Sequence, residues 1–139
     1  MKNLIFSHKS DIDGMGGVVL LKLAQENVDY VLCETFNVNT KFKNYYLDKT
    51  IYDYDNIYIT DLCLDAENLE IIKNDEILKA RVKVFDHHKS VLDFNSYDFV
   101  KLKSLGMINT VKITIINKIK TSYKANCMDD CNAYKSRRF

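Results

Sequence analysis

The sequence contains no proline and no tryptophan, and only four of its 139 residues are glycine. Without proline there is no proline-rich linker to divide the chain, and the length predicts one compact domain. No apolar run approaches the roughly 20 residues that a membrane-spanning helix requires. The first residues also lack the charged start, long apolar stretch and small-residue cleavage site of a secretory signal peptide. We therefore expect a cytoplasmic protein that does not bind membranes.

Cysteine is sparse as well. The four cysteines are too scattered to form a disulfide framework, and we interpret Cys33 and Cys63 as core residues. Cys127 and Cys131 are four residues apart, a spacing that suits zinc on a helix, but no second pair accompanies them. We favour an ordinary structural role for both.

The formal net charge of +1 hides an uneven distribution. Residues 1–100 contain 11 Lys or Arg and 17 Asp or Glu, a balance of −6, whereas residues 101–139 carry +7. A carboxylate-rich region suits a cation site, and a basic end is usually a solvated tail. We predict a metal-binding α/β domain at 1–102 and a basic segment at 103–139 that is irregular or partly helical.

Apolar segments and turn residues predict alternating strands and helices. Strands are predicted at 3–7, 29–36, 56–60 and 81–85, and helices at 18–24, 39–47 and 66–74. Gly14, Gly16 and Gly17 predict a tight turn before the first helix, and Asp65 is placed to cap the third. This alternation is typical of a doubly wound, mostly parallel sheet with flanking helices.

Histidine and aspartate side chains follow three of the predicted strands. They are His8, Asp11 and Asp13 after the first strand, Asp61 after the third, and Asp86, His87 and His88 after the fourth. Because ligand sites in such sheets gather beyond the carboxyl ends of the strands, we expect these side chains to converge. Imidazole nitrogen and carboxylate oxygen suit Mn²⁺ and its neighbours, and several carboxylates can hold two divalent ions. The pattern indicates a metal-dependent phosphoesterase.

The residue types also predict individual roles. Asp61 is the candidate bridging ligand, because one carboxylate has two oxygens that can each bind a metal ion. Asp11 and Asp13 are each able to face a different ion, while His8 and His87 supply nitrogens.

Two further residues are predicted to be catalytic. His88 is suited to binding the substrate phosphate or to protonating the leaving oxygen. Asp86 is suited to accept a hydrogen bond from a ligating histidine, which fixes the tautomer of the imidazole.

These motifs resemble those of the DHH phosphoesterase family. The triplet Asp86-His87-His88 matches the motif that names the family, and Ile59-Thr60-Asp61 is similar to its strand-ending aspartate. His8, followed by Asp11 and Asp13, resembles the first motif, a histidine before an Asp-x-Asp pair. The resemblance covers roughly residues 1–100, and the motifs look most like those of the oligoribonuclease branch of the family.

The resemblance implies a doubly wound sheet that holds two Mn²⁺ ions, with Mg²⁺ or Co²⁺ as alternatives. The implied arrangement is His8 and Asp11 on one ion, Asp13 and His87 on the other, and Asp61 between them. His88 would then contact the phosphate. The family's fourth motif and its second, substrate-gripping domain have no counterpart in this sequence, and we expect a truncated chain.

The function expected from the resemblance is hydrolysis of short oligonucleotides by water that two metal ions activate. The expected partners are short single-stranded RNA or DNA, or a nucleotide-like small molecule. Two alternatives remain open: an inactive, truncated remnant of a DHH phosphoesterase, and a phosphatase or pyrophosphatase acting on a small molecule.

Overall fold

The computed structural model describes residues 1–86 and 96–102, which form a single parallel sheet with helices. The strands are β1 (Asn3–His8), β2 (Val28–Cys33), β3 (Asn56–Thr60), β4 (Val82–Asp86) and β5 (Val100–Leu102). The helices are α1 (Ile12–Ala24), α2 (Val38–Leu47), α3 (Ala66–Asn74) and α4 (Glu76–Arg81), with a short 3-10 helix at Thr50–Asp53. The sheet order is β2-β1-β3-β4-β5, and every neighbouring pair is parallel.

Helices cover both faces of the sheet because successive side chains of a strand point to opposite faces. On one face, Phe6 of β1 belongs to a large buried cluster that includes residues of α2, α3 and α4. Its ring lies 6.0 Å from that of Phe42, measured between centroids. On the other face, Ile5 and Tyr58 pack with Leu21 of α1 in a smaller cluster. The predicted doubly wound α/β fold is confirmed.

Several predicted boundaries need correction. β2 ends at Cys33 rather than at residue 36, because the chain turns at Glu34. The Asn37 side chain accepts a hydrogen bond from the Glu34 amide at 2.8 Å, and the amides of Asn37 and Val38 both donate to the Glu34 carbonyl at 3.1 Å. These contacts close a turn that leads directly into α2.

The predicted tight turn at the glycines was wrong. Gly14, Gly16 and Gly17 lie inside α1, which begins at Ile12. The Asp11 side chain caps this helix by accepting the Gly14 amide at 2.8 Å, so the helix starts before the glycines rather than after them. No glycine of the described residues has a positive φ. The sequence patterns also missed two short elements, α4 and β5.

Asp75 holds the junction between α3 and α4. Its carboxylate caps α4 by accepting the amides of Ile77 and Leu78, both at 3.0 Å, and it accepts the Tyr52 hydroxyl. Burial raises the pKa of Asp75, but these hydrogen bonds lower it more, and the net pKa lies below the ordinary 3.8. The charged carboxylate therefore stabilises the fold above that pH, and the contribution is lost as the pH falls through the folded-state pKa.

We expect Asp75→Ala to lower the free energy of unfolding by about 1–2 kcal/mol at neutral pH, since it removes a cap and a hydrogen bond. The difference from the unmodified chain should be smaller in acid, because the contribution of Asp75 is lost progressively as the pH falls below 3.8 and through the lower folded-state pKa. Urea unfolding at pH 7 and pH 3 measures both effects. Asp48→Ala, at an exposed aspartate after α2, is the control. A difference that grows in acid would contradict the assignment.

No helix within the described ranges is both long and apolar enough to cross a membrane. Cys33 is buried and Cys63 packs partly buried against the large cluster, in agreement with their predicted place in the core. Cys127, Cys131 and the predicted basic segment at 103–139 lie outside the described residues.

Candidate metal centre

Three of the predicted ligands meet beyond the carboxyl ends of β1 and β3. His8 is the last residue of β1, Asp11 caps α1, and Asp61 directly follows β3. The His8 Nδ1 atom lies 3.0 Å from Asp11 Oδ2 and 3.7 Å from Asp61 Oδ2. One nitrogen or oxygen atom of each residue lies within 4.8 Å of the others. The parallel pairing of β1 with β3 brings these residues together, although 53 positions separate His8 from Asp61.

Asp11 uses its two carboxylate oxygens for different tasks. Oδ1 accepts the Gly14 amide, which fixes the side chain at the start of α1, and Oδ2 faces His8. Burial raises the pKa of Asp11, but hydrogen bonds with Gly14, His8 and Asp61 lower it more, and the net pKa falls below its ordinary value. The cap therefore holds an ionised carboxylate toward the centre.

Asp61 is the most constrained of the three residues. It is 1% exposed, and its φ of 58° lies in the left-handed region, which most residues other than glycine avoid. Its amide donates to the Phe85 carbonyl of β4 at 2.9 Å. Backbone strain of this kind costs on the order of 1 kcal/mol and occurs most often at functional sites. The strained turn directs a carboxylate into the space beside His8.

Small residues let α1 approach the strand ends closely. The Ser7 hydroxyl donates to the Gly14 carbonyl at 2.7 Å and lies 2.7 Å from the Thr60 hydroxyl. A Cβ atom on Gly14 would lie 2.1 Å from the His8 carbonyl oxygen, and one on Gly17 would lie 3.3 Å from Thr60 Oγ1. Glycine at position 14 is therefore required by the distance between α1 and β1.

Glu34, which the sequence patterns did not single out, also belongs to this cluster. It follows β2, and its Oε2 lies 3.0 Å from His8 Nε2, on the side of the ring opposite Asp11. The Ser10 hydroxyl donates to Oε1, and Lys9 Nζ lies 3.6 Å from the same oxygen. A signal was present, because Glu34 is a carboxylate near the carboxyl end of the strand predicted at 29–36. It was missed because the observed strand ends at Cys33, directly before Glu34, and the predicted one ends two residues after it.

The charges of the cluster are coupled through His8. Burial lowers the pKa of His8, but the hydrogen bonds and negative charges of Asp11 and Glu34 raise it more, and the net pKa lies above the ordinary 6.5. The hydrogen bond from Ser10 is the main cause that lowers the pKa of Glu34, with His8 and Lys9 contributing. The cluster is therefore a group of carboxylates around one imidazole.

The remaining predicted site residues have different outcomes. Asp13 lies in the first turn of α1, partly buried, and does not belong to the group of three defined above. Asp86 ends β4 and is 2% exposed, next to the strand that delivers Asp61. His87 and His88 lie outside the described residues. Their roles, and that of Asp13 as a ligand, stay predictions.

The donor set of the group fits a divalent cation. One imidazole nitrogen and two carboxylates suit Mn²⁺, and Mg²⁺ or Co²⁺ as alternatives. The carboxylates of Asp11 and Asp61 lie 3.0 and 3.7 Å from the same His8 nitrogen, so a cation bound there could neutralise both. His8, Asp11 and Asp61 are therefore the residues that could hold a metal ion.

The chain is similar to a bacterial oligoribonuclease over part of its length and to a solved structure in its fold. No family model matches the chain. The chain is 30% identical over 97 residues to oligoribonuclease NrnB of Bacillus subtilis (strain 168), a match that covers 68% of this chain and 24% of NrnB. The fold resembles a crystal structure of an uncharacterized protein from Helicobacter pylori G27, with a TM-score of 0.66 and 18% identity over 84% of this chain and 37% of that one. The chain thus spans a minor part of both proteins, and its similarity to NrnB supports the resemblance to the DHH phosphoesterases.

Proposed function

We propose that this chain forms the metal-binding part of a DHH-type phosphoesterase that hydrolyses phosphodiester bonds in short oligoribonucleotides. The observation that carries the proposal is the meeting of His8, Asp11 and Asp61, from two distant segments, at one edge of a parallel sheet. The similarity to an oligoribonuclease supplies the substrate class. The chain spans 24% of that relative, so oligoribonuclease activity is proposed for this chain rather than shown by the similarity.

The proposed cofactor is a pair of divalent cations, with Mn²⁺ preferred. His8 and Asp11 would hold one cation, Asp13 and His87 the other, and Asp61 would serve both. When bound, such cations neutralise the charge of a phosphate group and lower the pKa of water, so that a nucleophile forms at neutral pH.

The chain's own residues would supply orientation and proton transfer. Asp61 is held in place by its buried position and by the hydrogen bond of its amide to β4. Asp11 is fixed by the cap of α1, so neither carboxylate has to reorganise when a substrate arrives. His88 would contact the phosphate or protonate the leaving oxygen, and Asp86 would orient a neighbouring histidine.

The proposed partner is short single-stranded RNA, with short DNA as a second polymer substrate. We also propose a cytoplasmic location, where such RNA fragments would be degraded. An inactive remnant would hydrolyse nothing, and a phosphatase or pyrophosphatase would hydrolyse a small molecule rather than RNA. One assay therefore separates the three.

We expect the chain to shorten a 5′-labelled five-nucleotide RNA in Mn²⁺, to lose this activity in EDTA, and to regain it when Mn²⁺ is restored. His8→Ala should abolish cleavage, since it removes the imidazole at the middle of the cluster. Denaturing gel electrophoresis measures the products. Parallel reactions contain pyrophosphate or a nucleoside monophosphate as the substrate in place of the RNA.

Two results would contradict the proposal. Release of phosphate from the small molecules, with the RNA intact, would favour a phosphatase or pyrophosphatase. A chain that binds Mn²⁺ in a calorimetric titration and hydrolyses none of the substrates would be a remnant. RNA cleavage that persists in EDTA would indicate a contaminating nuclease, and the His8→Ala preparation controls for it.

A further inference from the structure

We infer that Glu34 is a positioning residue of the metal centre, which accepts the Nε2–H of His8 and leaves Nδ1 free to bind the cation. The inference rests on the proposed function, because it requires His8 to bind a cation. It assigns a role to a residue that the metal-binding motifs do not include.

The geometry distinguishes the two sides of the His8 ring. Nδ1 faces Asp11 at 3.0 Å and Asp61 at 3.7 Å, so this nitrogen belongs to the group that could hold a cation. Nε2 lies on the opposite side, 3.0 Å from Glu34 Oε2. In a neutral imidazole one nitrogen carries the proton and the other accepts, and an ionised carboxylate can only accept. A cation at Nδ1 therefore requires the proton to be on Nε2, where Glu34 can accept it.

Glu34 is itself held firmly in this position. Its second oxygen, Oε1, accepts the Ser10 hydroxyl and lies 3.6 Å from Lys9 Nζ. Its backbone is part of the turn closed by Asn37, directly after β2. The Glu34 side chain is 18% exposed, close to the 19% of His8, so the contact between them is partly buried. A carboxylate fixed in this way can set the orientation of the ring.

Glu34 takes, for His8, the role that the sequence patterns assigned to Asp86. Asp86 lies at the end of β4, whereas β1 lies between β2 and β3, so β2 is the neighbour of His8 on the side away from Asp61. His8 pairs in register with Cys33, the residue before Glu34. The strand order therefore places a β2 residue behind the His8 ring.

We expect Glu34→Ala to weaken Mn²⁺ binding by about 10–100-fold, the usual effect of removing a partner of a ligating histidine. Glu34→Gln should retain most of the affinity, because its amide oxygen can still accept the Nε2–H. Free Mn²⁺ is measured by electron paramagnetic resonance during titration of the full chain. Glu76→Ala is the matched control, since the Glu76 side chain is 87% exposed and lies 4.0 Å from Lys79.

The tautomer of His8 provides a second measurement that does not depend on activity. In ¹⁵N spectra of the Mg²⁺-loaded chain, with His8 assigned through a His8→Gln variant, the proton should be on Nε2. At the Mg²⁺ concentration that loads the unmodified chain, Glu34→Gln should keep this tautomer. Glu34→Ala should give a mixture, because part of this variant no longer binds the cation.

The outcomes separate this inference from the proposed function. Mn²⁺ binding by Glu34→Ala equal to that of the unmodified chain would overturn the inference and leave the metal centre intact. Equal losses in the Ala and Gln variants, with the tautomer unchanged in both, would also overturn it, because Glu34 would then be a direct ligand. An unmodified chain that binds no Mn²⁺ would overturn both the inference and the proposed function.

Discussion

Asp61→Asn is expected to reduce Mn²⁺ affinity by roughly 100-fold or more while the chain stays folded. Loss of a residue that only orients a ligand typically costs 10–100-fold in affinity, and loss of the shared ligand should cost at least as much. The substitution removes the charge of the carboxylate at the centre of the cluster, where Asp61 is 1% exposed. A neutral amide there attracts a divalent cation far less strongly.

The same substitution should be tolerated by the backbone. Asp61 has a φ of 58°, and asparagine is among the few residues other than glycine that adopt this conformation readily. Asparagine is also nearly the same size as aspartate, so the buried position is neither emptied nor overfilled. Urea unfolding of the metal-free chain should therefore give a free energy within about 1 kcal/mol of the unmodified value.

Asp65→Asn is the matched control for this prediction. Asp65 lies four residues further along the same loop and caps α3 by accepting the Asn68 amide at 2.9 Å, a role that asparagine can also perform. Both variants remove one negative charge near the carboxyl end of β3, but only Asp61 lies in the cluster with His8. Equal Mn²⁺ affinity in the two variants, measured by calorimetric titration, would contradict the role of Asp61.

The site could be predicted from the sequence as far as strand ends determine it. Parallel strands bring their carboxyl ends to one edge, so a histidine after one strand and an aspartate after another are expected to meet whatever lies between them. His8 and Asp61 meet for this reason. Asp11 joins them because an aspartate before a helix is a favourable cap, and the cap fixes where its carboxylate lies.

Glu34 could not be predicted in the same way, because its role depends on where β2 ends. The apolar pattern continues to Phe36, and a strand of that length would place Glu34 within the sheet. The turn instead depends on the Asn37 side chain, which accepts the Glu34 amide. Local side-chain contacts of this kind compete with the sheet, and periodicity does not report them.

The glycines of α1 were misinterpreted because glycine has two uses. In isolation it favours turns, and within a helix it costs up to about 1 kcal/mol relative to alanine. Here the close approach of α1 to β1 outweighs that cost, and the tertiary contact decides the conformation. A single sequence contains no direct signal for the distance between a helix and a strand.

Gly14→Ala is therefore expected to destabilise the chain by roughly 3 kcal/mol or more, although alanine is the better helix former. The new Cβ would lie 2.1 Å from the His8 carbonyl oxygen, 2.7 Å from its carbonyl carbon and 2.8 Å from its Cβ. These atoms belong to the end of β1 rather than to a flexible side chain, so α1 must move away from the sheet. The movement would separate Asp11 from His8, and Mn²⁺ affinity should fall together with stability.

Gly17→Ala, one turn further along α1, separates this steric effect from helix propensity. Its Cβ would lie 3.3 Å from Thr60 Oγ1, a side-chain atom that can shift by a few tenths of an ångström. Alanine also gains helix propensity there, and we expect a change in unfolding free energy within about 1 kcal/mol of zero. Urea unfolding of both variants, followed by circular dichroism, measures the difference. If Gly14→Ala were as stable as Gly17→Ala, α1 could not lie as close to the end of β1 as the centre requires, and the positions of His8 and Asp11 would have to be revised.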